Sequence, residues 1–179
     1  MYEAIVFLTT GFEEIEAVST IDILRRGGVN VASVSLTGER QVTGSRQITV
    51  TADLLFDEVD FGNEMLILPG GPGTGNYKEH NELLELLKKH NANGGKIAAI
   101  CAAPTVLGML GLLADKTAVC YPTLEAELRS ARVGGSATVT DGNITTSKCP
   151  ASSFGFALEI LRILKGAEEA ARVGQGMGV

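Results

Sequence analysis

Lys96-Ile97-Ala98-Ala99-Ile100-Cys101-Ala102-Ala103-Pro104-Thr105-Val106-Leu107 is the stretch on which the fold turns. Ile97 to Ile100 form a short apolar run suited to a buried parallel strand. Pro104 fits the first turn of a helix, where a missing N–H costs nothing. Cys101 sits between the two, where a helix offers free N–H groups and the positive end of its dipole. Both favour thiolate over thiol, so Cys101 is expected to be the most acidic thiol of the chain. The small alanines around it suit a sharp turn of nucleophile-elbow type, with sulfur in place of oxygen. A buried structural thiol is the other reading, and this stretch alone leaves both open.

The pattern extends outward from that strand. Ala4–Leu8 is a continuous apolar run, followed by Thr9-Thr10-Gly11-Phe12 and a helix from about Glu13 to Arg26. Ile15, Val18, Ile21 and Leu24 recur at helical spacing and are expected to face the core. Glu13, Glu14 and Glu16 stand in the first turn, Arg25 and Arg26 in the last, and Gly27-Gly28 ends the helix. Val29–Leu36 alternates like a strand, and Gln41–Thr51 reads as a small hairpin turning near Gly44-Ser45. Met65–Leu68 is a further buried strand running into Pro69-Gly70-Gly71-Pro72-Gly73-Thr74-Gly75. Asn81 is expected to cap a helix that ends at Asn93-Gly94-Gly95. Thr117–Cys120 reads as a strand, and a helix is expected from Pro122-Thr123 to about Ala131. Ala137–Val139 and Ile144–Ser147 pair across Asp141-Gly142, a strong hairpin turn. A long helix from about Ser152 to Lys165 follows, and the glycine-rich tail from Gly174 is expected to fray.

Strands alternating with helices imply an α/β fold, a parallel sheet covered on both faces, in one domain spanning residues 1–179. Ligands bind such sheets beyond the carboxyl ends of the strands. Thr9–Glu16, Pro69–Gly75 and Cys101–Pro104 all leave strands at that edge, so they can converge on one site.

Composition narrows the function classes. Hydrophobic residues make up 45% and charged residues 20% of the chain, ordinary values for a globular protein. A net charge of −6 without a basic run argues against a nucleic-acid surface. No signal peptide and no run of membrane-spanning length is visible. Three cysteines is an odd count, and their spacing fits no zinc template. Unpaired thiols without an export signal point to the cytoplasm.

The glycine segment is neither a P-loop nor G-x-G-x-x-G, which argues against nucleotide binding. Gly70 and Gly71 instead allow backbone N–H groups to approach a ligand oxygen, or form a plain turn. Glu14 and Glu16 point to different sides of Ile15, so one of them can look toward Cys101, where a protonated carboxyl would donate to sulfur. Only two histidines are present, His80 and His90; both flank or end one helix, are expected at the surface, and show no Cys/His dyad.

Four ordered segments resemble motifs of the ThiJ/PfpI family: Gly11-Phe12-Glu13-Glu14-Ile15-Glu16, Leu68-Pro69-Gly70-Gly71, Ala99-Ile100-Cys101-Ala102-Ala103-Pro104, and Thr146-Ser147-Lys148-Cys149-Pro150 with the following Phe154-Gly155-Phe156-Ala157-Leu158. The resemblance covers nearly the whole chain and is strongest to the branch linked to familial Parkinson disease. It implies a flavodoxin-like parallel sheet sandwiched by helices, with a small antiparallel hairpin. It implies Cys101 as nucleophile, Glu16 as the protonated carboxyl beside it, and the N–H groups of Gly71 and Ala102 as an oxyanion site. Gly70, Tyr121, Cys149, Pro150, Arg26 and Arg46 fall at family pocket positions, and the two arginines also imply a homodimer interface.

Family activities include cofactor-independent glyoxalase, deglycase, chaperone and oxidative-stress sensor roles, so the implied partners are a small aldehyde or glycated substrate and a second copy of the chain. No cofactor or metal is implied. Two departures bear on the activity. Peptidase-type members place histidine directly after the nucleophile, where this chain has Ala102, which demotes a peptidase. The Parkinson-linked branch places a pocket histidine where this chain has Tyr121, a hydrogen-bond donor but a poor base near neutral pH. The resemblance therefore implies either a slow aldehyde enzyme or a redox sensor with an oxidisable Cys101.

Overall fold

The structure, a computed structural model, describes residues 1–179. Strand β1 (Ala4–Leu8) leads to helix α1 (Glu14–Arg26), β2 (Val31–Ser35), the short strands β3 (Gln41–Thr43) and β4 (Thr49–Thr51), and β5 (Leu54–Leu55). Then come β6 (Met65–Leu68), α2 (Thr74–Glu79), α3 (Asn81–Ala92), β7 (Ile97–Ile100) and α4 (Pro104–Met109). Strands β8 (Thr117–Ala118), β9 (Arg132–Val133), β10 (Thr138–Asp141) and β11 (Ile144–Ser147) precede helices α5 (Ser153–Lys165) and α6 (Ala167–Met177).

Seven strands form one sheet in the order β10-β11-β7-β6-β1-β2-β5, parallel except for the β10–β11 hairpin. Alternate residues of β1 enter different cores: Ala4, Val6 and Leu8 pack with α1, α5 and α6, while Ile5 and Phe7 pack with α2, α3 and α4. That period of two, with apolar groups on both faces, is why the strands read as unbroken hydrophobic runs. The antiparallel β3–β4 hairpin stands apart from the main sheet, its tip beside the N-terminus of α1. Because β2 and β6 lie on opposite sides of β1, the carboxyl ends of β1 and β6 open a crevice at a topological switch point. No helix is long and apolar enough to cross a membrane.

Several local expectations are corrected. Ile15 and Val18 face solvent, at 54% and 47% exposure, while Glu14, Glu16, Ala17, Thr20, Ile23 and Leu24 face inward. Helix α1 carries apolar residues on two faces: of the four expected in the core, Leu24 is buried and Ile21 packs partly against it, while Ile15 and Val18 lie on the outer face. Residues 122–131 form no helix beyond a short 3-10 turn at Glu125–Leu128. Thr123 and Arg129 take positive φ values of 83° and 57°, incompatible with a continuous right-handed helix. The expected frayed tail is α6, anchored by buried Val173 and by Met177 against the core, with Gly178 as its left-handed cap. His80, not Asn81, caps α3: its Nδ1 accepts the Leu83 N–H at 3.2 Å. His90 is buried, its Nε2 3.2 Å from the Lys96 carbonyl, under the turn that closes α3.

Candidate active site

Cys101 stands between β7 and α4 with φ 64°, a left-handed conformation unusual for a residue with a side chain. The neighbours hold it there. Its N–H donates to the Ser147 carbonyl at 2.9 Å, and its carbonyl accepts the Tyr121 N–H at 2.7 Å. Strain of this kind persists where the surroundings over-determine it, typically at functional sites. Gly70 passes directly behind: a Cβ there would lie 2.7 Å from the Cys101 Cβ and 2.9 Å from the Ala102 nitrogen. Gly70 is therefore a spacer that supports the elbow, which corrects its expected place in the pocket wall.

Glu16 reaches the same point from the first turn of α1. It is fully buried, and its Oε2 accepts the Gly70 N–H at 2.7 Å. Its Oε1 is buried without a conventional hydrogen-bond partner, and the Cys101 thiol is the group to which the carboxyl couples. Burial pushes Glu16 up to about 7, against the Gly70 N–H. Burial also pushes the Cys101 thiol up, reinforced by the Glu16 carboxylate and opposed by the N–H groups of Gly71 and Ala102. The expectation of an acidified thiol is thus corrected: desolvation and a neighbouring acid outweigh the start of a short helix. Near neutral pH the pair resists a second negative charge and shares one proton.

A cavity of about 420 Å³ opens over the sulfur, lined by Glu13, Ser45, Arg46, Gly71, Pro72, Cys101, Ala102, Tyr121, Leu124 and Pro150. Gly71 takes φ 100°, which turns its N–H toward the thiol, alongside that of Ala102. Tyr121 lies at the rim, partly exposed. Arg46 and Ser45 come from the tip of the β3–β4 hairpin, held by buried Glu14: the Arg46 N–H donates to its Oε1 at 2.5 Å and the Ser45 hydroxyl to its Oε2 at 3.0 Å. Glu13 caps α1, its Oε2 accepting the Glu16 N–H at 2.8 Å.

Two residues expected at the pocket stand elsewhere. Arg26 pairs with Asp22 at 2.7 Å at the far end of α1, because ten residues of helix separate it from Glu16, about 15 Å of rise. Cys149 is not among the residues lining the cavity, while Pro150, the first residue of the 3-10 turn that Cys149 caps, is. The sequence reading missed Ser45, Pro72, Leu124 and the place of Glu13. Ser45 and Glu13 were visible only as a turn and a dipole acid.

The profile of the DJ-1/PfpI family matches residues 2–163. The chain belongs to the DJ-1/PfpI family. It is similar to protein dj-1beta of Drosophila melanogaster, 36% identical over 178 residues that cover 97% of this chain and 95% of that protein. The crystal structure of Drosophila melanogaster DJ-1beta superposes with a TM-score of 0.94 at 35% identity, covering 100% of this chain and 99% of that one. The oxidized DJ-1 of Toxoplasma gondii gives 0.93 at 35% identity, covering 99% and 98%. The glutathione-independent glyoxalase DJR-1.2 of Caenorhabditis elegans is 34% identical over 163 residues, 88% of this chain and 85% of that protein. The superpositions extend the family's fold over the whole sheet and its flanking helices.

Proposed function

We propose that the chain is a cofactor-independent, cysteine-dependent enzyme acting on small 2-oxoaldehydes, with Cys101 as nucleophile and Glu16 as proton carrier. The observation that carries this reading is the buried Glu16 carboxyl, raised to about 7, coupled to a thiol that also meets the N–H groups of Gly71 and Ala102. An acid–base group near the working pH suits proton transfer in both directions. Glu16 takes the thiol proton as sulfur bonds to the aldehyde carbon, and the new oxyanion meets Gly71 and Ala102. Glu16 then hands that proton to the oxyanion, takes the proton of the hemithioacetal carbon and returns it to the adjacent carbonyl carbon, while the hydroxyl proton passes to that carbonyl's oxygen, giving a thioester of a 2-hydroxy acid. Water then cleaves the thioester, releasing the acid and restoring the thiol. No external oxidant or reductant enters.

Tyr121 offers a hydrogen-bond donor where a histidine could share the proton transfer, so slow turnover is expected. Pure protein is expected to convert methylglyoxal to lactate; Cys101→Ser abolishes this, and Tyr121→His raises the rate. No turnover in either the parent or Tyr121→His would refute the aldehyde reading.

A second reading, a redox sensor, is favoured by the rim tyrosine and by the oxidized Toxoplasma gondii relative. There a peroxide oxidises Cys101 to sulfinate, which the same N–H groups would hold. A glycated substrate would enter by the same thiol addition. The proposal includes a homodimer through the outer face of α1, where Ile15 and Val18 are exposed near Ile48 of the hairpin, and a cytoplasmic setting that keeps the thiols reduced.

A further inference from the structure

Arg46 stands apart from the other arginines. Each of the others commits its guanidinium inside the fold: Arg25, Arg26, Arg40, Arg132, Arg162 and Arg172 to carboxylates, and Arg129 to a backbone carbonyl. Arg46 spends only its backbone N–H, on Glu14; it is among the residues that line the cavity over Cys101, and its exposed side chain makes no ion pair or hydrogen bond within the chain. The support beneath it is elaborate. Buried Glu14 grips both Ser45 and Arg46, Gly44 leaves room for that carboxyl, and Gln47 takes φ 65° to close the turn. A buried carboxylate spent on a hairpin tip serves to fix what the tip carries, and here it carries a free positive charge. The acidic side chain on the wall, Glu13, is engaged at the start of α1, whose dipole partly offsets its charge.

We propose that Arg46 is an anion anchor, and that the preferred substrates are 2-oxoaldehydes bearing a carboxylate or phosphate at the end remote from the aldehyde. This rests on the aldehyde reading above. With the aldehyde carbon at sulfur, its oxygen at Gly71 and Ala102, and its second carbon beside Glu16, the remaining end of the substrate points to the mouth where Arg46 waits. A guanidinium forks onto either anion with two parallel hydrogen bonds, which a lysine cannot reproduce.

The test compares methylglyoxal with 4,5-dioxopentanoate and 3-phosphooxy-2-oxopropanal, in the parent and in Arg46→Gln and Arg46→Lys. The parent is expected to favour one or both anionic aldehydes about tenfold in kcat/KM, the scale of one partly shielded charge pair. The gain should lie in KM, and the choice between the two anions names the source. Arg46→Gln should erase the preference and Arg46→Lys keep part of it. A second readout needs no turnover: labelling of Cys101 by iodoacetate against iodoacetamide. The parent ratio should fall about fivefold in Arg46→Gln and hold in Lys88→Gln, a surface charge on α3. If no aldehyde is turned over but the labelling ratio depends on Arg46, the aldehyde reading fails and the anchor stands. An unchanged ratio in Arg46→Gln, or equal use of neutral and anionic aldehydes by the parent, overturns the anchor. So does a variant whose only change is dissociation in sedimentation, which would assign Arg46 to a contact between copies.

Discussion

Glu14 and Glu16 lie two residues apart in the first turn of one helix, both buried, yet they carry charge differently. Burial pushes both upward. At Glu14 the Arg46 N–H, further backbone N–H groups and the Ser45 hydroxyl outweigh that push, and the carboxyl is held below the usual carboxylate range. At Glu16 the Gly70 N–H and the Cys101 thiol oppose burial and lose, and the group rises to about 7. Position on the dipole is nearly the same, so the depth of burial and the number of donors decide. One carboxylate becomes a fixed charge that clamps a hairpin; the other becomes a movable proton beside sulfur.

The largest expected effect breaks that pair apart in catalysis. Glu16→Gln keeps a partner for the Gly70 N–H but cannot carry a proton, so methylglyoxal turnover should fall about 10²–10⁴-fold. Glu14→Gln, remote from the sulfur, should cost about threefold or less with this neutral substrate. Equal losses in initial-rate assays would mean that Glu16 is only structural.

The contrast is partly legible in the sequence. Cys101, Pro104 and the Gly70-Gly71 turn are local signals, because an elbow needs a small-residue approach and a helix start wherever it occurs. The Asp141-Gly142 hairpin was legible for the same reason. Which of two acids faces the thiol was not legible from spacing, since Ile15 sits between them and α1 is apolar on both faces; the family resemblance singled out Glu16. Taking Ile15 as a core residue left Glu14 and Glu16 equivalent; only packing against α5 and the hairpin tip separates them. The thiol's acidity was misjudged because sequence shows the helix start but not the desolvation. The segment after Pro122 misled because positive φ at Thr123 and Arg129 has no signature in those residue types.

A smaller effect concerns the glycine beside each acid. Gly70→Ala would drive a Cβ into the Cys101 Cβ and the Ile100 carbonyl, rigid neighbours, at about 1–3 kcal/mol. Gly44→Ala meets the Glu14 carboxyl, which can swing aside, so its melting temperature should drop less. The reverse order in thermal denaturation would show that the clamp, not the elbow, is the stiffer region.

The smallest effect is a pair of pH slopes. Glu16 keeps its proton when folded above the pH at which the unfolded chain loses it. It therefore stabilises fully below its ordinary value of 4.5, and that stability is lost as pH rises to about 7. Glu14, held low, stabilises above its ordinary value and loses that contribution as pH falls below 4.5. In urea titrations Glu16→Gln should flatten the slope between pH 4.5 and 7, and Glu14→Gln the slope on the acid side. A single shared window would erase the distinction.

The left-handed backbone at Cys101 sets durability against usefulness. A residue with a side chain held at φ 64° stores strain of about 1–3 kcal/mol, which glycine would release. A population of variants screened for heat resistance alone would drift toward glycine at position 101, gaining robustness as it discards its only nucleophile over the cavity. Cysteine at that position is therefore a mark of selection for chemistry at the expense of endurance.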